Sequence, residues 1–159
     1  MTPDQAGELV ARIEEQERRL VLARFDNEDA WRLGTLLVEL ARARGAVVAI
    51  DIRRNTQQLF HYALPGTSAD NDAWIQRKAC TTGRSGHASY LVRLRHLAQG
   101  NTFEQRSHLR PDTYAAHGGA FPIILEGTGA IGTVTVSGLA QDEAHELVTA
   151  ALEEYLARG

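Results

Sequence analysis

Apolar positions recur every three or four residues at both ends of the chain, and short β-branched runs interrupt that rhythm in between. Thr2-Pro3-Asp4 suits a helix start, with Thr2 as cap and Pro3 in the first helical position. Leu9, Val10, Ile13 and Leu20 then form an apolar stripe among charged residues, which predicts an amphipathic helix ending near Leu20. Asp26 or Asn27 opens a second helix. Trp31, Leu33, Leu36, Leu37 and Leu40 line its apolar side, and Gly45 stops it. The run Ala46–Ile52 is β-branched and nearly all apolar, so it reads as a strand covered on both faces, with Gln57–Ala63 returning beside it.

Asn71–Thr82 reads as a helix with Trp74, Ile75 and Ala79 on one side, and His87–Leu97 as another after Gly83 and Gly86. The periodicity fades between Ala98 and Asp112. Phe121–Glu126 and Ala130–Ser137 then predict a hairpin around Gly127-Thr128-Gly129. Ala144, Leu147, Val148, Ala151, Leu152, Tyr155 and Leu156 define the closing helix. The order α-α-β-β-α-(α)-β-β-α, rich in hairpins, predicts a single α/β (α+β) domain over residues 1–159 with a largely antiparallel sheet.

Composition narrows the class. With 43% hydrophobic residues, the chain can build a core without staples, and Cys80, its one cysteine, excludes an internal disulfide. A formal charge of −3 argues against general nucleic-acid binding. No apolar run reaches the roughly 20 residues of a membrane helix, and the N-terminus lacks a secretory pattern, so a soluble, cytoplasmic protein is expected. Basic residues gather at Arg53-Arg54 and at Arg77-Lys78 with Arg84, as solvated surface or as an anion site.

Candidate chemistry concentrates in Tyr114–Ile123. Gly118 and Gly119 free the backbone for positive φ and expose its N–H groups, and His117 beside them can donate, accept or ligate a metal. A sharp turn with a carbonyl-bonded histidine explains the same residues. None of the six histidines (His61, His87, His96, His108, His117, His145) pairs in a zinc motif, so no metal site is assigned. Ser137 with His117 would form a dyad only if folding joined them, and no Gly-x-Ser-x-Gly is present. The stretch Thr82–Gly86 lacks the ending of a phosphate-binding loop, and Cys80 reads as an indifferent thiol.

The runs YAAHGGAFPI, GAIGTVTVSGL and QDEAHELVTAALEEYL, with DNDAWIQRKACTTGRSGHASY before them, resemble an uncharacterised bacterial and fungal family of the haem-degrading, GlcG/HbpS-like group. The resemblance covers most of the chain from Asp70 onward. Glu143-Ala144-His145 departs from the family's usual Glu-Asp-His, and Gln105–Arg110 departs as well. It implies a profilin-like three-layer α/β/α fold with about five strands, homo-oligomerisation, and haem as a cofactor of some members. The expected function is therefore binding of haem or another small anionic ligand, with no reaction or catalytic residue assigned. His117, Gly118, Gly119, Tyr114, His87, Arg77, Lys78, Arg84 and Ser137 are the candidate binding positions. His117 or His87 would face iron, and the basic side chains would hold carboxylates. The alternative is an oligomeric structural or adaptor protein in which the same segments form subunit contacts.

Overall fold

The computed structural model describes residues 1–159. Its first helix, α1 (Pro3–Arg19), starts at the expected cap: Thr2 Oγ1 accepts from Gln5 N at 3.1 Å, and Gln5 Oε1 accepts from Thr2 N at 2.8 Å. In α2 (Asn27–Ala43) Asp26 and Asp29 exchange the equivalent bonds at 2.8 and 2.9 Å. Gly45, at φ 65°, closes α2 with Ala46 N donating to Ala41 O and Gly45 N to Arg42 O. That closure takes Ala46 out of the expected strand, which runs instead as β1 (Ala49–Arg54), paired with β2 (Gln57–Ala63).

Helix α3 spans Ala69–Ser85, longer at both ends than its apolar pattern suggested, and Gly86 at φ 76° ends it. Helix α4 begins at Ser89 rather than His87 and runs to Ala98, because His87 and Ala88 are tied to Glu17 of α1. A single-turn helix, α5 (Phe103–Arg106), occupies the segment where periodicity faded. The hairpin forms as β3 (Ala120–Leu125) and β4 (Gly129–Ser137), and α6 (Gln141–Ala157) closes the chain.

The sheet has four strands in the order β2-β1-β4-β3, all antiparallel. The expectation of about five strands is corrected. A fifth position at the edge of β3 is filled only by Leu22, whose N–H donates to Ile124 O and whose carbonyl accepts from Glu126 N. Leu20 and Phe25 turn into the core instead of extending that pairing. No helix is long and apolar enough to cross a membrane.

Strand register fixes two unlike faces. Ile50 pairs with Val136, Ile52 with Val134, and Val134 with Phe121, so one face is apolar and packs on α2 and α6. Asp51 pairs with Thr135, Arg53 with Thr133 and Ala49 with Ser137, so the other is polar, and α3 lies across it. The core cluster of 27 buried residues contains none from α3.

Candidate functional site

Helix α3 covers polar strand positions, so its inward side chains meet hydroxyls and backbone oxygens where a core would offer methyls. Lys78 is the clearest case. It is 4% exposed, and its Nζ donates to Val136 O at 2.6 Å and Gly118 O at 3.1 Å, with no carboxylate beside it. Burial lowers its pKa to about 8. The absence of a side chain at Gly119 leaves room for the Lys78–Val136 contact, and that at Gly118 lets the loop close on Gln141. A Cβ on Gly118 would strike Gln141 O, and one on Gly119, at φ 134°, would sit 2.5 Å from both Lys78 Nζ and Val136 O.

His117 stands beside this junction. Its ring meets Trp74 edge-on at 4.8 Å, and its Nε2 lies 3.4 Å from Arg93 Nη2. Arginine can only donate, so Nε2 accepts and the proton sits on Nδ1, which is buried without a partner. Burial, and then the charge of Arg93, hold the imidazole below the usual histidine range, so it is neutral near pH 7. Gln141 Oε1 accepts from Arg93 Nε at 3.1 Å and Gly118 N at 3.3 Å, fixing the loop to the start of α6.

Together Trp74, Lys78, His117, Gly118, Ser137 and Gln141 line a cleft of about 280 Å³. Ser137 and His117 share this cleft, yet no hydrogen bond joins them, and the imidazole is turned towards Arg93. Of the two readings of its basic neighbourhood, solvated surface does not hold for Lys78, which is buried.

The remaining candidates divide. Arg77 lies over the Trp74 ring at 4.5 Å and its Nε donates to Pro111 O at 3.0 Å, which puts it on the neighbouring wall with Tyr114 and His117. Arg84 is in a different cleft, where its guanidinium stacks over Tyr114 at 5.6 Å. His87 lines neither the His117 cleft nor the Arg84 cleft. Its Nδ1 lies 2.7 Å from Glu17 Oε1, an ion-pair geometry that secures α4 to α1. It is therefore separated from the His117 site, against the expectation that it faced the same ligand. No group of three or more His, Cys, Asp or Glu side chains converges as a metal site.

Three contributors escaped the sequence reading. Trp74 had been placed on an apolar helix side, and Arg93 and Gln141 come from α4 and α6. The family resemblance stopped at motif positions, and nothing in local spacing links those two to His117. Gly132 has a structural explanation: a Cβ there would collide with the Arg53 carbonyl across the strands. His145, buried in the apolar layer, bonds Gln16 Oε1 at 2.8 Å, and burial lowers its pKa to about 4.

Known proteins of the same kind exist. Residues 25–153 match the family described as haem degrading protein HbpS-like. A UPF0303 protein of Streptomyces coelicolor is 63% identical over 147 residues, covering 92% of this chain and 93% of its own. Among solved structures, Ybr137w superposes with a TM-score of 0.86 at 32% identity, over 94% of this chain and 88% of its own. A PduOC complex with haem shares the fold, with a TM-score of 0.68 at 18% identity, over 81% of this chain and 93% of its own.

Proposed function

Since the chain belongs to the HbpS-like family of haem degrading proteins, we propose that it binds a small anionic ligand, with haem as the leading candidate, in the His117 cleft. It would act as one domain over residues 1–159 and as a homo-oligomer. The observation that carries this reading is a neutral, half-buried imidazole set between Trp74 and Arg93, in a cleft that also holds the buried Lys78 ammonium, which has no carboxylate partner.

Those residues fit the polar parts of haem. His117 would hold the iron, and Arg77 and Lys78 would face carboxylates. Trp74 offers a flat apolar wall. When bound, the group would supply a redox-active iron. A cleft of about 280 Å³ is at the bottom of the range for enclosing a drug-sized molecule, so it would take one edge of the porphyrin. A second copy would cover the rest, which is why the homo-oligomer belongs to the reading.

Titration of the purified chain with hemin tests this. A shifted Soret band that His117→Ala abolishes and His87→Ala preserves is expected. No shift, or a shift that persists in His117→Ala, would remove the assignment. Light scattering after size exclusion tests the assembly, and a monomer would sink it.

A second reading, an oligomeric adaptor without catalysis, draws on a different surface. The edge strand β2 is largely exposed, and Trp31, 61% exposed, meets Phe60 of that strand at 6.0 Å. Loss of the oligomer in Trp31→Glu, together with no hemin binding by the parent chain, would favour it.

A further inference from the structure

A second cleft, of about 670 Å³, opens on the polar face of the sheet between α3, the β1–β2 turn and the start of β4. We propose that it binds a small organic oxyanion, a molecule carrying a carboxylate or phosphate together with hydroxyls. This proposal does not rest on the haem reading. No histidine lines the cleft, and His117 belongs to other walls.

Charge gives the first reason. Arg53 and Arg84 line the cleft and no acidic side chain does. Arg84 has no carboxylate partner: its Nη1 lies 3.4 Å from the Tyr114 hydroxyl, and its guanidinium is stacked over that ring. Arg53 is fixed in place. Its Nη1 donates to Gln76 Oε1 at 2.6 Å, and its Nε lies 2.8 Å from Asp51 Oδ2, an ion pair not aligned as a hydrogen bond. Asp51 is fully buried beneath it and also accepts from Gln58 Nε2 at 2.6 Å. A guanidinium held this way meets an oxyanion with little further ordering, through Nη2, the nitrogen that these partners leave free.

The floor gives the second reason. Thr82 from α3 and Thr133 from β4 are 1% and 3% exposed, and neither hydroxyl makes a hydrogen bond. A buried hydroxyl without a partner keeps the full cost of its lost hydration, and such groups persist in proteins chiefly where something else satisfies them. Two of them, from opposite walls of one polar cleft, match a ligand bearing hydroxyls beside its anionic group. Cleft size agrees, since the volume falls within the small-molecule range.

Calorimetric titration of the full chain with gluconate, and separately with inorganic phosphate, tests the assignment. Saturable binding of at least one probe is expected, weakened about tenfold or more by Arg84→Gln, as loss of a charged hydrogen-bonding partner implies. Thr133→Val, close in shape, keeps the test open if Arg84→Gln fails to fold, and it should weaken binding several-fold. Gluconate alone would assign a carboxylate ligand, phosphate alone a phosphate ligand, and both a general oxyanion site. Binding of neither probe, or binding that both variants leave unchanged, overturns the proposal. Hemin titration of Arg84→Gln separates the clefts: an unaltered Soret band is expected, whatever the outcome of hemin binding to the parent chain.

Discussion

On the side facing α2 and α6 the sheet presents Ile50, Ile52, Val134, Val136, Phe121 and Ile123, all buried; under α3 the intervening positions are Asp51, Arg53, Thr133, Thr135 and Ser137. Asp51, Thr133, Thr135 and Ser137 are as thoroughly covered as the aliphatic residues, and only Arg53 reaches partly into solvent. Burial on the first side removes apolar surface from water, which is favourable without any geometric condition. Burial on the second is favourable only when each polar atom finds a partner. Of the seven buried side-chain atoms that make no hydrogen bond, six lie on or against the α3 side, those of Asp51, Arg53, Thr82, His117, Thr133 and Thr135, and of these only Asp51 Oδ2 and Arg53 Nε are compensated, by facing each other as an ion pair. The apolar layer has one, His145 Nδ1. One face of the sheet therefore supplies stability, and the other holds unsatisfied polar groups around the two clefts.

The largest effect that sharpens this contrast belongs to the apolar layer. Phe121→Ala should destabilise the fold by about 3–5 kcal/mol, because it removes a fully buried ring and leaves a cavity beside its strand partner Val134 and the His145 ring. Urea denaturation measures it. A loss below about 1.5 kcal/mol would mean that the apolar layer carries less of the stability than its packing implies.

Next come two pH limbs, one from each side. His145 has a pKa of about 4 in the fold against 6.5 unfolded. Between these values the unfolded chain binds the proton and the folded one does not, so stability falls as pH drops from about 6.5 to about 4. Lys78, at about 8 against 10.5, obeys the same sign in another window: stability rises as pH climbs from about 8 to about 10.5. Each limb amounts to about 3 kcal/mol, from roughly 1.4 kcal/mol per pKa unit. Subtracting the profile of His145→Phe from that of the parent chain should isolate the acid limb, and Lys78→Met the alkaline one. If Lys78→Met leaves the alkaline profile unaltered, the ammonium is not held dry beneath the sheet.

The apolar layer was largely legible in the sequence. The periodicity of α6, the caps at Thr2 and Asp26, and the β3–β4 hairpin rest on neighbours within a few residues, and those rules are local. The polar layer was not. Asp51 fell within a strand expected to be covered on both faces, but Lys78 belongs to a residue type that is almost never fully buried, and no local pattern predicted that it would lie beneath α3. His117 stands out because two glycines follow it, and the family motifs mark it. Its partners Arg93 and Gln141 reach it from α4 and α6, and only tertiary packing brings them there. The fifth strand failed for a related reason: Leu22 pairs, but Leu20 and Phe25 are drawn into the core.

Gly119→Ala tests the junction between the loop and the polar layer. The residue's φ of 134° disfavours any side chain, and the added methyl would press on Lys78 Nζ and Val136 O. A loss of about 2 kcal/mol is expected, within the cost of a strained backbone position. Hemin binding should weaken with it, since the same loop sets His117. An unchanged urea midpoint would show that Lys78 can retreat, and that the glycine pair is not what holds the site closed.

The smallest effect is the most discriminating. Thr135 is fully buried, pairs with Asp51 and Ala120 in the sheet, and its hydroxyl has no hydrogen-bond partner. Thr135→Val exchanges that hydroxyl for a methyl of nearly the same shape while leaving the strand and its β-branch in place. On the apolar face a loss of polar contact would be irrelevant; in a satisfied polar network the exchange would leave a partner stranded and cost about 1–3 kcal/mol. Here no partner exists to strand, so the exchange should be neutral or stabilising by up to about 1 kcal/mol. A destabilisation above about 1.5 kcal/mol in urea would reveal a hydrogen bond through water or a bound molecule in the folded protein. The α3 face would then be a satisfied network, and the two sides of the sheet would differ in composition alone.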